Sequence, residues 1–324
     1  MNFTSPPSKG YLGLDAGGTQ SRWATVSSDG ELLRTGQVDG LSGLQLQSVS
    51  GRARVTEVLG PLATATGPLA GAVLGVTGFD ATQAPILCGL VARSLGVPAS
   101  QVQAMTDIEL ACVAAFAPGQ GIVVYAGTGS VAAHLDAQGT LHRVGGRGAI
   151  IDDAGGGHWI AREALRHIWR AEEEQPGSSA HSSLAQNLFQ AMGGSDWAHT
   201  RQWAYGATRG ELGTLAVAVA SAARTDPAAM ALMQAAGDEL ARLALLLLRR
   251  HGPLPVALAG RVFDLHPAIQ AHLQAALPPA TAVHRMTQAP HVEAAKLAAR
   301  LAGRMAKAEA APAASRLEPL PQPK

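Results

Sequence analysis

At 324 residues the chain exceeds the size at which one hydrophobic core keeps growing, which favours two domains. Its 25 Lys and Arg nearly balance its 24 Asp and Glu, so no summed field draws it to nucleic acid or an anionic membrane, and neither is expected as a partner. Two cysteines, Cys88 and Cys112, with no C-x-x-C pair, give neither a disulfide framework nor a zinc or iron–sulfur ligand set, which suits a reducing cytoplasm.

The N-terminal MNFTSPPSKG lacks the basic-then-apolar pattern of an export signal, and the apolar run Leu240–Leu248 is too short to span a bilayer. Period-2 alternation predicts strands over Tyr11–Asp15, Thr19–Ser27 and Glu31–Gly36, joined by the turns AGG and SSDG into a meander. A helix over Val49–Thr66, a strand over Gly71–Val76, a helix over Gln83–Leu95, a strand over Val102–Met105 and a helix over Ile108–Phe116 follow. The meander then returns in GIVVYAGTGSVAAHLDAQGTLHRVGG, with strands over Gly121–Ala126, Ser130–Leu135 and Thr140–Val144. Gly18 to Gly30 and Gly127 to Gly139 are each 12 positions apart, so the two halves read as copies of one unit. The second half continues with helices over Gly157–Glu173, Ser183–Met192, Glu211–Arg224 and Ala228–Arg250, then a strand over Pro255–Ala259. Residues 1–9 and the proline-rich 304–324 are assigned to disordered tails.

Each meander carries glycines at its first tip: Gly17 and Gly18 before Thr19 in one, and Gly127, Thr128, Gly129 and Ser130 in the other. A D-A-G-G turn alone is an ordinary hairpin signal. Two tips at matched spacing suggest more, because backbone N–H groups freed of side chains can approach an anion closely. Facing each other across a cleft, they would hold a polyphosphate, with the Thr19, Thr128 and Ser130 hydroxyls as further donors. Asp15 beside phosphates makes sense only if a cation comes too, which implies Mg²⁺. No Gly-Lys-Ser/Thr follows the glycines and no G-x-G-x-x-G opens a helix, so neither a Walker A loop nor a dinucleotide fingerprint is present.

Two further acids have competing readings. Asp107, at the end of the strand containing VQAM, suits a general base, yet Thr106-x-x-Glu109 also matches a capping box. Asp153, in IIDDAGGG, sits just before a helix, where a carboxylate is favourable with the macrodipole. The histidines form no H-x-x-x-H or H-E-x-x-H set and are expected in surface or structural roles.

DAGGTQS, MTDIELA, YAGTGS, GGRGAIIDDAGGG and VALAGRVF, in that order, resemble the sugar-kinase branch of the actin, hexokinase and heat-shock chaperone ATPase superfamily. The likeness is greatest to the N-acetylglucosamine and glucosamine kinases grouped with BadF/BadG/BcrA/BcrD-type ATPases, and it covers roughly Tyr11 to Ala302. It implies an α/β fold of two ribonuclease-H-like domains (the actin-like ATPase fold) around a central nucleotide cleft, residues 10–117 plus 290–303 forming one and 118–289 the other. It further implies ATP and Mg²⁺ as cofactors, and γ-phosphoryl transfer to a hydroxyl of a small-molecule amino sugar. In that pattern Asp107 is the general base and Asp15 the metal residue, while the two tips hold phosphates. Gly260 contacts adenosine, with Arg261 either over the adenine or facing water. Ser42, Thr77, Gly78, Gly146 and Asp153 lie on the sugar side, and a homodimer is allowed.

Leu44 stands where the amino-sugar enzymes usually carry an asparagine, with Ser42, Gln45 and Gln47 as candidate substitutes, and Ala154 and Gly156 replace residues that are often polar. The phosphate side of the pattern is intact and the acceptor side is altered. A nucleotide-binding regulator, or an electron-transfer activase, is the alternative; the activases carry a cysteine just before the second tip, where this chain has VVYAGTG.

Overall fold

The computed structural model describes residues 9–18 and 20–310, with side chains to 305. Close backbone contacts divide the chain into two units: residues up to Leu110 with those from Gln288 onward, and Ala111–Thr287 between them.

The first unit is built on a five-stranded sheet in the order β3-β2-β1-β4-β5. Strands β1 (Gly10–Ala16), β2 (Gln20–Val26) and β3 (Leu32–Asp39) form the antiparallel meander, and β4 (Leu69–Val76) and β5 (Val102–Thr106) add in parallel on the other side of β1. Helices α1 (Val49–Thr66) and α2 (Ala84–Leu95) make the crossovers. Both α1 and β4 bury one side in a core that includes Leu12, Leu14, Leu59, Leu62 and Leu74. Ser48 caps α1, its hydroxyl accepting the Gly51 N–H at 3.0 Å.

The opposite side of this sheet is closed by the last helix, α11 (Pro290–Ala310), whose Ala294, Ala295, Ala298 and Ala299 meet Ala24, Val26, Val73 and Leu110. Small residues are needed here, because a Cβ at Gly13 would collide with the His291 carbonyl and the Ala295 amide. The helix runs to Ala310, so residues 304–310 are helical rather than part of a disordered tail. The remaining tail expectations, at residues 1–8 and 311–324, lie outside the described residues.

The second unit repeats the plan, in the order β10-β9-β6-β7-β8. Strands β6 (Ile122–Ala126), β7 (Ser130–Leu135) and β8 (Leu141–Gly145) form the meander, and β9 (Val256–Ala259) and β10 (Val283–Arg285) run parallel beside β6. The distal turns match bond for bond. Gly30 N–H donates to the Ser27 carbonyl (3.1 Å) and Ser27 N–H to that of Glu31 (2.9 Å); Gly139 and Asp136 repeat this with Asp136 and Thr140 at 2.9 and 3.0 Å. Gly30 and Gly139 hold φ of 84° and 83°, the left-handed region that favours glycine.

Between β8 and β9 lies a helical layer: α3 (Asp107–Ala115) has already led into the unit, and α4 (Gly157–Glu174), α5 (Ser183–Met192), α6 (Trp197–Gly206), α7 (Arg209–Thr214), α8 (Ala216–Ala222) and α9 (Pro227–His251) follow β8, with α10 (Pro267–Ala276) after β9. The expected helix over Glu211–Arg224 is two, α7 and α8, broken at Leu215. Helices α6 and α10, 10 residues each, and the three-residue strand β10 lie outside the expected elements. Asp226 fixes two helix starts at once: Oδ1 accepts the Ala228 and Ala229 N–H groups of α9 at 3.0 and 3.2 Å, and Oδ2 that of Leu184 in α5 at 3.0 Å. Leu240, Leu247, Met233 and Ile160 are fully buried in the core beneath this layer.

Candidate active site

In the first unit, the tip between β1 and β2 is held by the segments that follow β3 and β4. Leu41 N–H donates to the Gly17 carbonyl and Thr77 N–H to that of Ala16, both at 3.0 Å. Ser42 and Thr77 form a parallel bridge, and Ser42 Oγ and Gly43 N–H both donate to the Thr77 carbonyl, at 3.2 and 2.9 Å. Gly78 turns the chain at φ 64° where a side chain would meet Ser42 Oγ at 3.1 Å. Ser42, Thr77 and Gly78 therefore gather beside Gly17, while Gly18 is open and Thr19 lies outside the described residues.

The acceptor-side substitutes are partly committed. Ser42 and Gln45 form the capping box of a 3-10 turn over Gly43–Gln47: Ser42 Oγ accepts the Leu44 N–H at 3.3 Å and Gln45 Oε1 the Ser42 N–H at 3.0 Å. Gln47 is exposed, and Leu44 is 64% exposed.

Asp15 is half-buried near the end of β1, and burial and the nearby Asp107 carboxylate, against a smaller lowering by Arg22, push its carboxyl up to about 6. Asp107 opens α3; its Oδ1 accepts the Ile108 N–H at 2.9 Å, and Thr106 Oγ1 accepts the Glu109 N–H at 3.2 Å. Thr106 thus does the capping, and the second oxygen of Asp107 has no partner among the described residues. A carboxylate whose ionisation is opposed by burial and by a second carboxylate suits a divalent cation. Among the described residues no three His, Cys, Asp or Glu side chains converge as a metal cage; Mg²⁺ bound beside phosphates takes one or two protein carboxylates, and Asp15 with Asp107 would supply these.

In the second unit, the tip between β6 and β7 is packed from beneath. Gly127 N–H donates to the Gly129 carbonyl at 2.9 Å, and the Gly127 and Thr128 carbonyls accept the Gly157 and His158 N–H groups of α4 at 2.8 and 3.0 Å. A Cβ at Gly156 would stand 2.7 Å from the Gly129 backbone, so glycine there lets the loop lie flat on the tip. Gly146, at φ 63°, donates its N–H to the Ser130 carbonyl at 2.9 Å. With the carbonyls committed, the Thr128 and Gly129 N–H groups have no partner among the described residues and suit an anion.

Three of the expected site residues have neighbours within the protein that constrain them. Ser130 is no anion donor: it is 4% exposed and its hydroxyl donates to the Ala154 carbonyl at 2.6 Å. The glycine at 260 is required by the protein itself, since at φ 96° its Cβ would run into the Ala126 carbonyl; it does not line the adjoining cavity, whereas Arg261 does. Asp153 is 2% exposed, at φ 64°, and its carboxylate accepts the Gly148 N–H at 3.2 Å and pairs with Arg209. Sequence reading missed Arg209, which lies 56 positions from its partner with no motif to mark it.

A cavity of about 860 Å³ begins at Gly127 and Thr128, within the range of small-molecule sites. Val217, Ala220, Val262 and Leu265 supply apolar wall, and Thr214, Ser221, Arg224, Arg261, Asp264 and His266 are among the polar groups. Its floor comes from α7, where a Cβ at Gly213 would touch Thr128 Cγ2 at 3.3 Å. His134, His142 and His251 cluster elsewhere in this unit, with ring centroids 4.5 to 6.2 Å apart. No helix is long and apolar enough to cross a membrane, among the described residues.

The chain is similar to an N-acetylmuramic acid/N-acetylglucosamine kinase from Clostridium acetobutylicum, 28% identical over 49% of this chain and 53% of the relative. It thus spans about half the length of that curated relative. A crystal structure described as a putative N-acetylglucosamine kinase from Chromobacterium violaceum superposes with a TM-score of 0.68 at 28% identity, over 90% of this chain and 100% of the other. One described in the same words from Porphyromonas gingivalis shares the fold, with a TM-score of 0.70 at 19% identity over 90% and 99%. The family model for BadF/BadG/BcrA/BcrD ATPases matches residues 12–295, which takes in both meanders, both tips and the start of the closing helix: the chain belongs to the BadF/BadG/BcrA/BcrD ATPase family.

Proposed function

We propose that the protein is an ATP-dependent kinase that transfers the γ-phosphoryl group to a hydroxyl of an amino sugar. The observation that carries this reading is the cavity of the second unit, which joins a glycine tip with free N–H groups to an apolar wall, as a nucleotide requires. Its phosphate end falls at Gly127, Thr128 and Gly129, and its base end at Val262 and Leu265, with Arg261 at the rim. The names of the similar proteins support the sugar.

In the first unit Asp107 holds the chemistry. Its uncommitted oxygen accepts the proton as the sugar oxygen attacks phosphorus, the bond from phosphorus to the bridging oxygen breaks, and ADP leaves with that electron pair. Asp15 would hold Mg²⁺, which supplies positive charge to the phosphate oxygens. Ser42, Thr77 and Gly78, fixed beside Gly17, bound the acceptor side; Leu44 offers a methyl-rich surface where a hydrogen-bonding side chain is usual, so discrimination among hydroxyl patterns should be loose.

The test is ADP release, by coupled assay, across glucosamine, N-acetylglucosamine, N-acetylmannosamine, N-acetylmuramic acid, glucose and anhydro-sugars. Turnover on at least one amino sugar is expected. Stabilisation by ATP with no sugar-dependent ADP release on any of them would overturn the kinase and leave a nucleotide-binding ATPase.

A further inference from the structure

Arg209 is a side chain outside the expected pattern that reaches the second tip. Its guanidinium and the Asp153 carboxylate occupy the space beside Gly129: a Cβ there would stand 2.5 Å from Asp153 Oδ2 and would overlap the Arg209 Nη2. Asp153 is the buried partner, 2% exposed and pinned by the Gly148 N–H, whereas the Arg209 side chain is 46% exposed. The pair is therefore one-sided: a fixed carboxylate anchors one amino group of a guanidinium whose other donors have no partner among the described residues. A guanidinium carries five N–H donors in a rigid fork, and its strongest use is bidentate contact with carboxylate or phosphate. The neighbouring groups that would take phosphate are the free Thr128 and Gly129 N–H groups of the same tip.

We propose that Arg209 is a phosphate-binding residue, which Asp153 positions so that its free donors engage the distal phosphates of a nucleotide lying on Gly127–Ser130. The assignment rests on the nucleotide reading of this cavity and deepens it. It gives the buried Asp153 carboxylate a positioning task. The strained φ of 64° at a non-glycine residue fits this task, since it is the backbone turn that carries the carboxylate under Gly129.

Calorimetric titration of the full chain with Mg²⁺ and a nonhydrolysable ATP analogue, ADP or AMP distinguishes the outcomes. Two variants are compared with wild type: Arg209→Lys, which keeps the charge on Asp153 but loses the fork, and Arg209→Gln combined with Asp153→Asn, which leaves no buried charge unpaired. The expected result is a loss of about 10- to 100-fold in affinity for the triphosphate analogue in the double variant and a smaller loss in Arg209→Lys, with AMP within about twofold of wild type. Equal losses for AMP and the triphosphate would mean that the pair only holds the fold, and unchanged triphosphate affinity would mean that Arg209 does not touch it; either sinks the assignment while the nucleotide site stands. Wild type that binds none of the three removes the nucleotide reading and this assignment with it.

Discussion

The two glycine tips close the same hairpin in two copies of the same sheet, yet they differ in length and in what supports them. In the first unit Ala16 pairs with Ser21 and the loop holds Gly17 to Gln20; in the second Ala126 pairs with Ser130 and the loop holds only Gly127 to Gly129. The extra residue means that Gly17, rather than Gly18, corresponds to Gly127. The paired serines diverge as well. Ser130 donates to Ala154, whereas Ser21 is 0% exposed with no partner for its hydroxyl among the described residues. The first tip has acids beside it, Asp15 and Asp107, and the second has Arg209 and the start of α4. One copy has kept the groups that suit a metal and a proton, and the other those that suit phosphates. Duplication supplies the scaffold twice, and the loops after it divide the chemistry.

The sharpest test of that division is Asp107→Asn. Turnover should fall by about 10²- to 10⁴-fold with nucleotide affinity unchanged, because proton acceptance is lost from the first unit and the phosphate cradle of the second is untouched. Coupled ADP release and calorimetry read the two halves separately, and unchanged turnover removes Asp107 from the reaction.

Asp15 offers a pH handle on the same unit. Its carboxyl titrates near 6 when folded against an ordinary 3.8, so the folded state binds the proton more tightly. Its contribution to stability is complete below about 4 and is lost as pH rises through about 6, on the order of 2–3 kcal/mol without metal. Urea unfolding of Asp15→Asn against wild type between pH 4 and 8 should show a stability difference that grows in favour of the variant across that window. Parallel curves would mean that neither burial nor the Asp107 carboxylate raises the Asp15 carboxyl in the folded state.

Glycine substitutions set packed against open tips. Gly156→Ala should cost about 1–3 kcal/mol, since its Cβ meets backbone at Gly129, whereas Gly18→Ala, with nothing within 4 Å, should stay within about 0.5 kcal/mol. Thermal unfolding reads both; equal effects would deny that Gly156 is packed against the second tip while Gly18 is open. The smallest contrast is between the serines. Ser130→Ala should cost about 1 kcal/mol by leaving the Ala154 carbonyl without its donor, and Ser21→Ala should be neutral or slightly stabilising, because it removes a buried hydroxyl that has no bond to lose.

Much of this was legible from residues alone. Strands β1, β2, β6 and β7 announce themselves by apolar runs joined through glycine-bearing turns, and α9 by its long apolar periodicity, because those signals are local. Asp107 could be singled out since its strand, its cap and its place in the motif are contiguous. What was not legible depends on residues far apart in the chain. Whether the Ser130 hydroxyl and the Asp153 carboxylate are free is decided by Ala154 and Arg209, and the need for Gly260 by the Ala126 carbonyl of a neighbouring strand. Composition and spacing cannot count lone pairs already spent.

The closing helix has a consequence for how the chain is made. Ala294, Ala295 and Ala298 cover the face of the first sheet at Gly13 and Val73, yet the ribosome delivers them after every residue of the second unit. The second unit comes from one uninterrupted stretch and has all its parts when its last strand emerges. The first leaves the exit tunnel with one side of its sheet bare and stays so for the translation of more than half the protein, which makes that side the place where a nascent-chain chaperone would be wanted.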